Sequence, residues 1–180
     1  MVANLVFRSA NEDDLPTLAE KYNLLNENYY NFGYLLPHPE NVGESWVDSF
    51  KRTLGRFSQV YVAEKDGQIV GFALCRLKRL PAHMGGVIVG ELSDIWVSPE
   101  IRRSGIGASL TRLVLDWLRQ QGAHSVEVQV LRDNETAWKL FSGMGFNYEY
   151  RSARLIFPGK SANSTDSPSS PVAGTTQEIY

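Results

Sequence analysis

Between residues 90 and 117 the chain passes from Gly90-Glu-Leu-Ser-Asp-Ile-Trp-Val97 through Arg102-Arg103-Ser104-Gly105-Ile106-Gly107 into an apolar run at helical spacing that ends at Trp117. The first part reads as a strand and the last as a helix. Glycine inside a helix costs about 1 kcal/mol relative to alanine, so glycines at a helix mouth mark a need for bare backbone. A helix N-terminus carries about half a positive charge and several N–H groups without partners. With no Cβ at Gly105 and Gly107, an anion can approach those amides closely, and Arg102 and Arg103 add charge and donors. The plainer reading is a tight glycine turn, and a lone G-x-G does not exclude it. A P-loop is excluded, because Gly159-Lys160-Ser161, the nearest match, lies in a polar stretch without flanking strand or helix. A strict dinucleotide fingerprint is excluded too, since Leu110 stands where its third glycine belongs.

The rest of the chain supplies the elements around this loop. Leu5 to Arg8 reads as a short strand, and Asn11 as the cap of a helix with Leu15, Leu18, Ala19, Tyr22 and Leu25 on its apolar face. An aromatic loop follows over residues 28–40, then a second helix with Val42, Trp46, Phe50 and Leu54 at spacing four. Two β-rich runs flank Asp66-Gly67, the pair that a primed hairpin turn prefers. Residues 85–97 and 125–131 read as strands. Asn134 caps a short helix that Gly145 closes, with Phe146 as the apolar contact beyond, and residues 147–157 supply one or two final strands. This order predicts an α/β fold: a mixed, mostly antiparallel central sheet flanked by helices on both faces.

Composition narrows the function. Eighteen basic against twenty acidic residues give a net charge of −2, which argues against a general nucleic-acid binder. The single cysteine, Cys75, permits no intramolecular disulfide, which fits a reducing cytoplasmic setting. His38, His83 and His124 are scattered without metal-ligand spacing, so no metal is expected. Neither a signal peptide nor an apolar run long enough for a membrane span is evident, so no membrane partner is expected. After Phe157 the chain turns to Ser, Thr, Pro and Gly. The expected division is therefore a folded domain over residues 1–157 and a disordered polar tail over 158–180.

These residues resemble a known family. Arg102-Arg103-Ser104-Gly105-Ile106-Gly107 matches the R/Q-x-x-G-x-G/A signature of the GNAT superfamily of N-acetyltransferases, and Asn134 to Phe146 resembles its N-x-x-A-x-x-L-Y-x-x-x-G-F motif. The resemblance covers roughly Leu5 to Phe157 and implies a sheet whose central strands splay apart. It implies acetyl-CoA as co-substrate, its pyrophosphate on the amides from Arg103 through Ser104, Gly105, Ile106 and Gly107 to Ala108, with Arg102 alongside. Its pantetheine arm would pair with the backbone of Trp96 and Val97, and Asn134 would touch that arm. The N–H of Val97 would hold the oxyanion.

The implied reaction is acetyl transfer to a primary amine of a small molecule; a protein amine and a non-catalytic acyl-CoA sensor are the alternatives. An amine with pKa near 10.4 is neutral in about one molecule in 2,500 at pH 7, a barrier of roughly 4–5 kcal/mol that a base can lower. Glu91 stands where part of the family carries a base acting through water, and Asp94 is the rival. Simple strand alternation puts Glu91 with Ser93, Ile95 and Val97 and Asp94 with Trp96; a bulge would scramble this parity. The tyrosine expected as general acid is Phe141, which leaves water, Ser142, Tyr148 or Tyr150. Tyr29, Tyr30, Phe32 and Tyr34 lie where the family builds its acceptor site and could hold an amine by cation–π contact. A monomer and a homodimer both stay open.

Overall fold

The hairpin at the centre of the sheet is set by its turn. In the computed structural model, which describes residues 4–157, Asp66 and Gly67 both take positive φ, +51° and +81°. That is the mirror-image turn whose twist matches two antiparallel strands. It joins β2 (Ser58–Lys65) to β3 (Gln68–Arg79). With β1 (Leu5–Ser9), β4 (Ile88–Val97) and β5 (Val126–Val128) they form one sheet in the order β1-β2-β3-β4-β5. All neighbours are antiparallel except β4 and β5, which run parallel. The helices are α1 (Leu15–Asn31), α2 (Val42–Asp48), α3 (Ile106–Gln120) and α4 (Glu135–Gly143).

Alternation along β2 and β3 sends apolar side chains to both faces, so the sheet carries two cores. On one face, Ile106, Leu110, Val114 and Leu118 of α3, spaced by four, pack on Ala63, Ala73, Cys75 and Leu92 together with Phe141 of α4. Leu110, Val114 and Leu118 are fully buried, each worth about 1.5–3 kcal/mol. On the other face, Leu18, Ala19 and Leu25 of α1 and Trp46 and Val47 of α2 pack with Phe50 over Val60, Val62, Phe72, Leu74 and Trp96. The two helices touch backbone to backbone there. A Cβ on Gly43 would lie 2.3 Å from the carbonyl oxygen of Ala19, so a larger residue would push α2 off α1.

Asn11 caps as expected, with a short 3₁₀ turn (Glu12–Asp14) leading into α1. Its side chain accepts from the Asp14 N–H at 3.2 Å, while the Asp14 carboxylate accepts from the Asn11 N–H at 2.8 Å. Asp14 also receives both ends of the Arg8 guanidinium at 2.7 and 2.9 Å, and Arg8 reaches on to Glu64. One cation thus ties β1, β2 and the start of α1.

The structure corrects four boundaries. α1 runs on to Asn31, so Tyr29 and Tyr30 belong to its last turns and not to a loop. α2 stops at Asp48, and Phe50 reaches the core from a turn beyond it. β5 is a three-residue strand. Residues 147–157 form no strand: Tyr148 stacks on Trp138 at 3.8 Å, and Leu155, Ile156 and Phe157 are exposed. Alternation alone does not hold a strand, which needs both pairing and a buried face, and the apolar side chains of this segment stay exposed. The tail expected over 158–180 lies outside the described residues.

Candidate active site

A β-bulge decides which side chains meet. The β3–β4 register passes from Leu74 opposite Asp94 to Cys75 opposite Leu92, leaving Ser93 as the extra residue on β4. One inserted residue exchanges the two faces of a strand. The bulge therefore undoes the simple parity and brings Glu91 and Asp94 to the same side. Both line a cleft of about 540 Å³ whose other walls include Tyr22, Tyr34, Ser45, Trp46, Ser49 and Arg76.

Asp94 is held from two directions. Tyr29 donates its hydroxyl to one carboxylate oxygen at 2.8 Å, and Trp46 donates its indole N–H to the other at 2.9 Å. Burial pushes the Asp94 carboxyl above its ordinary value, against the pull of these two donors. Burial, and then the nearby Asp94, push the Tyr29 phenol well above its ordinary value, so it remains a donor. Glu91 accepts from Ser93 Oγ at 2.9 Å through one oxygen.

Of the four expected acceptor aromatics, Tyr34 lines the cleft and Tyr29 reaches it through Asp94. Tyr30 stacks on His38 with ring centroids 5.1 Å apart and donates to the Pro37 carbonyl, while Phe32 ends α1; neither lines the cleft. Tyr22, Trp46, Ser49 and Arg76 were missed as site residues. Tyr22 and Trp46 sit on apolar helix faces, where their sequence signal is that of core.

On the other face, the loop into α3 is strained in one place and bare in another. Arg103 and Gly105 take φ of +63° and +86°, and Gly105 immediately precedes the helix. The six amides from Arg103 to Ala108 have no acceptor among the described residues; the first amide paired is that of Ser109, with Gly105 O at 3.0 Å. Gly107 differs from Gly105. Its φ is not positive, and a Cβ there would meet only Leu140, Val97 and Ile95 side chains at 3.6 Å or more. Neither backbone conformation nor packing requires glycine at 107.

Between the loop and the cleft, the sheet opens. β4 pairs with β5 only from Gly90 to Leu92, so from Ser93 onward that edge has no strand beside it among the described residues. Ser98 N–H donates to Val70 O at 2.8 Å. This makes Gly71–Val97 a pair without hydrogen bonds between its members, and by alternation Phe72–Trp96 a bonded one. The Val97 N–H therefore faces the open edge, and the Val97 carbonyl accepts from Arg102 Nε at 3.1 Å. By the same alternation the Trp96 backbone faces Phe72, and its side chain is buried in the core at 4% exposure.

A family model described as "Acetyltransferase (GNAT) family" matches residues 18–146. The chain belongs to the GNAT acetyltransferase family. A mycothiol acetyltransferase of Frankia alni is 32% identical over 108 residues, covering 57% of this chain and 32% of that protein. The chain thus spans about a third of the length of that curated relative. An uncharacterized N-acetyltransferase of Methanocaldococcus jannaschii is 25% identical over 146 residues, 81% of this chain and 62% of that protein. Among solved structures, an aminoglycoside N-acetyltransferase in complex with CoA superposes with a TM-score of 0.69 at 18% identity, covering 88% of this chain and 97% of that one. That likeness carries the fold: a five-stranded mixed sheet with helices on both faces.

The second GNAT motif has its cap and its departure both visible. Asn134 accepts from the Ala137 N–H at 3.1 Å and so caps α4. Phe141, in place of the tyrosine, is 1% exposed and meets Phe146 edge-on at 5.5 Å. Tyr148 is occupied with Trp138, Ser142 Oγ donates to the Trp138 carbonyl at 2.8 Å, and none of Ser142, Tyr148 and Tyr150 lines the cleft. Among the described residues no helix is long and apolar enough to cross a membrane, and no group of three or more His, Cys, Asp and Glu could hold a metal ion.

Proposed function

We propose that this GNAT chain transfers the acetyl group of acetyl-CoA to the primary amine of a small molecule. The observation that carries this reading is the run of six unpaired amides from Arg103 to Ala108 at the head of α3, next to the open edge of β4. Those amides, with Arg102 and Arg103, fit a pyrophosphate, and the bareness of Gly107 has no other use in the fold. The thioester supplies an activated acetyl group. The Val97 N–H, directed to the open edge, donates to the oxygen that gains charge during transfer. Glu91 takes the proton from the acceptor nitrogen, directly or through one water, because one of its oxygens is left without a protein donor. Asp94 has both oxygens engaged and serves to fix the floor of the cleft. Phe141 offers no proton to the leaving sulfur; a thiol with pKa near 8.5 departs without one at modest cost.

A second reading, an acyl-CoA-binding module without catalysis, is favoured by Phe141 alone. The two part in one assay: acetyl-CoA with a broad panel of amines, read as free thiol. Thiol released in excess of protein supports transfer. Silence across the panel with CoA still bound overturns transfer in favour of the module.

A further inference from the structure

Building on the acetyl-transfer reading, we infer that the acceptor amine also carries a carboxylate, as an amino acid does, and that Arg76 selects it. Arg76 lies on β3 directly across from Glu91 on β4. Among the described residues it is the single basic one lining the cleft, against two acidic ones, Glu91 and Asp94. If its task were to neutralise those carboxylates, it would pair with them. It does not: no ion pair within 4.0 Å among the described residues includes Arg76. Asp94 spends its oxygens on Tyr29 and Trp46, and Glu91 spends one on Ser93.

The guanidinium is nevertheless fixed. Arg76 Nη2 donates to Ser49 Oγ at 2.7 Å, and Ser49 in turn donates to the Trp46 carbonyl at 2.6 Å, which anchors the arginine to the end of α2. Nε is shielded from solvent and has no acceptor among the described residues. A guanidinium offers five donors in a planar fork suited to a carboxylate, and in this half-buried arginine none of them reaches a carboxylate of the described residues within 4.0 Å, which leaves donors for a ligand's carboxylate. Cross-strand neighbours stand with Cβ atoms about 4.5–5.5 Å apart. An unpaired cation and a base are therefore side by side. That spacing suits a molecule whose ammonium and carboxylate are a few bonds apart, the nitrogen toward Glu91 and the carboxylate toward Arg76.

The transfer then balances as follows. The nitrogen–acyl bond forms and the carbon–sulfur bond breaks. Of the two protons that the ammonium gives up, one ends on the sulfur and one in solvent. The product is an N-acetylated acid that keeps its carboxylate.

The test compares each of the standard α-amino acids with its amide and its decarboxylated amine, by thiol release with the full chain. At least one free acid should show a kcat/KM roughly ten- to a hundredfold above its two partners, the size expected of a charge-assisted contact. Arg76→Gln should collapse that ratio toward one, mainly through KM, and Arg76→Lys should restore part of it. CoA affinity by calorimetry checks that each variant is folded. Amides or amines turned over as well as the acids, or an acid preference that survives Arg76→Gln, would overturn the inference while acetyl transfer stands. Silence on all three classes while other amines of the broad panel release thiol would overturn the inference alone, and silence across the whole panel with CoA bound would overturn both.

Discussion

On the α3 face of the sheet, everything that prepares the proposed anion site lies in one stretch, Arg102 to Ala108, at the mouth of a helix. On the α1–α2 face, the cleft draws on residues scattered from Tyr22 to Asp94, brought together by two helices, two strands and a bulge. The first site is a property of local backbone: amides left over by a helix start, one glycine held at positive φ, one glycine kept bare. The second is a property of packing, in which a tyrosine and a tryptophan from separate helices hold one half-buried carboxylate. The difference teaches where variation is tolerated. On the proposed reading, the loop depends on a few adjacent residues and serves one ligand chemistry. The cleft would change its acceptor through any of several side chains, while the sheet beneath it stays the same.

Variants that injure one face and spare the other sharpen this contrast. The largest effect belongs to Glu91→Gln, which keeps shape and removes basicity. It should lower kcat/KM by about 10² to 10⁴ at neutral pH. The deficit should shrink as pH rises toward the amine's own pKa, with CoA affinity unchanged. Full activity of Glu91→Gln at pH 7 would remove the base assignment. Next comes Gly107→Val, the reciprocal injury. A side chain there finds only ordinary contacts, so the fold should hold, while CoA affinity by calorimetry should drop by roughly ten- to a hundredfold. Undiminished affinity in the folded variant would sever the loop from the ligand.

The smallest effect falls outside both sites and serves as their baseline. Asp14→Asn removes one partner of the Arg8 pair and should cost about 1–3 kcal/mol at neutral pH, toward the lower end because the Arg8 side chain is 34% exposed. Arg8 holds the Asp14 carboxyl below its ordinary value of 3.8. Its contribution is therefore full above that pH and fades as pH falls through the lower folded-state value. Urea midpoints of the two proteins should converge in that acidic range. A constant gap down to pH 2 would mean that Asp14 acts through packing and not through charge.

Much of the frame could be read directly from residues. Asp66-Gly67 set the central hairpin because only a mirror-image turn suits that twist. The four-residue spacing of Ile106, Leu110, Val114 and Leu118 set the buried face of α3. The unpaired amides follow from any helix start, so the bare backbone of this loop was legible as well. What alternation could not supply was the partner of Asp94, because parity along β4 holds only until Ser93 bulges out.

The sequence by itself determined those elements whose cause is local: turns, caps, helix faces and the bare amides of Arg103 to Ala108. Long-range packing settles that Glu91 and Asp94 share a face, that Trp96 turns its backbone to Phe72 while Val97 turns to the open edge, and that Arg76, across from Glu91, forms no ion pair among the described residues. The reason is physical. A helix cap or a hairpin turn is settled by interactions a few residues apart. A bulge, a strand that loses its neighbour after Leu92 and a half-buried carboxylate held by two helices are settled by contacts tens of residues apart in the chain, and no local pattern records them.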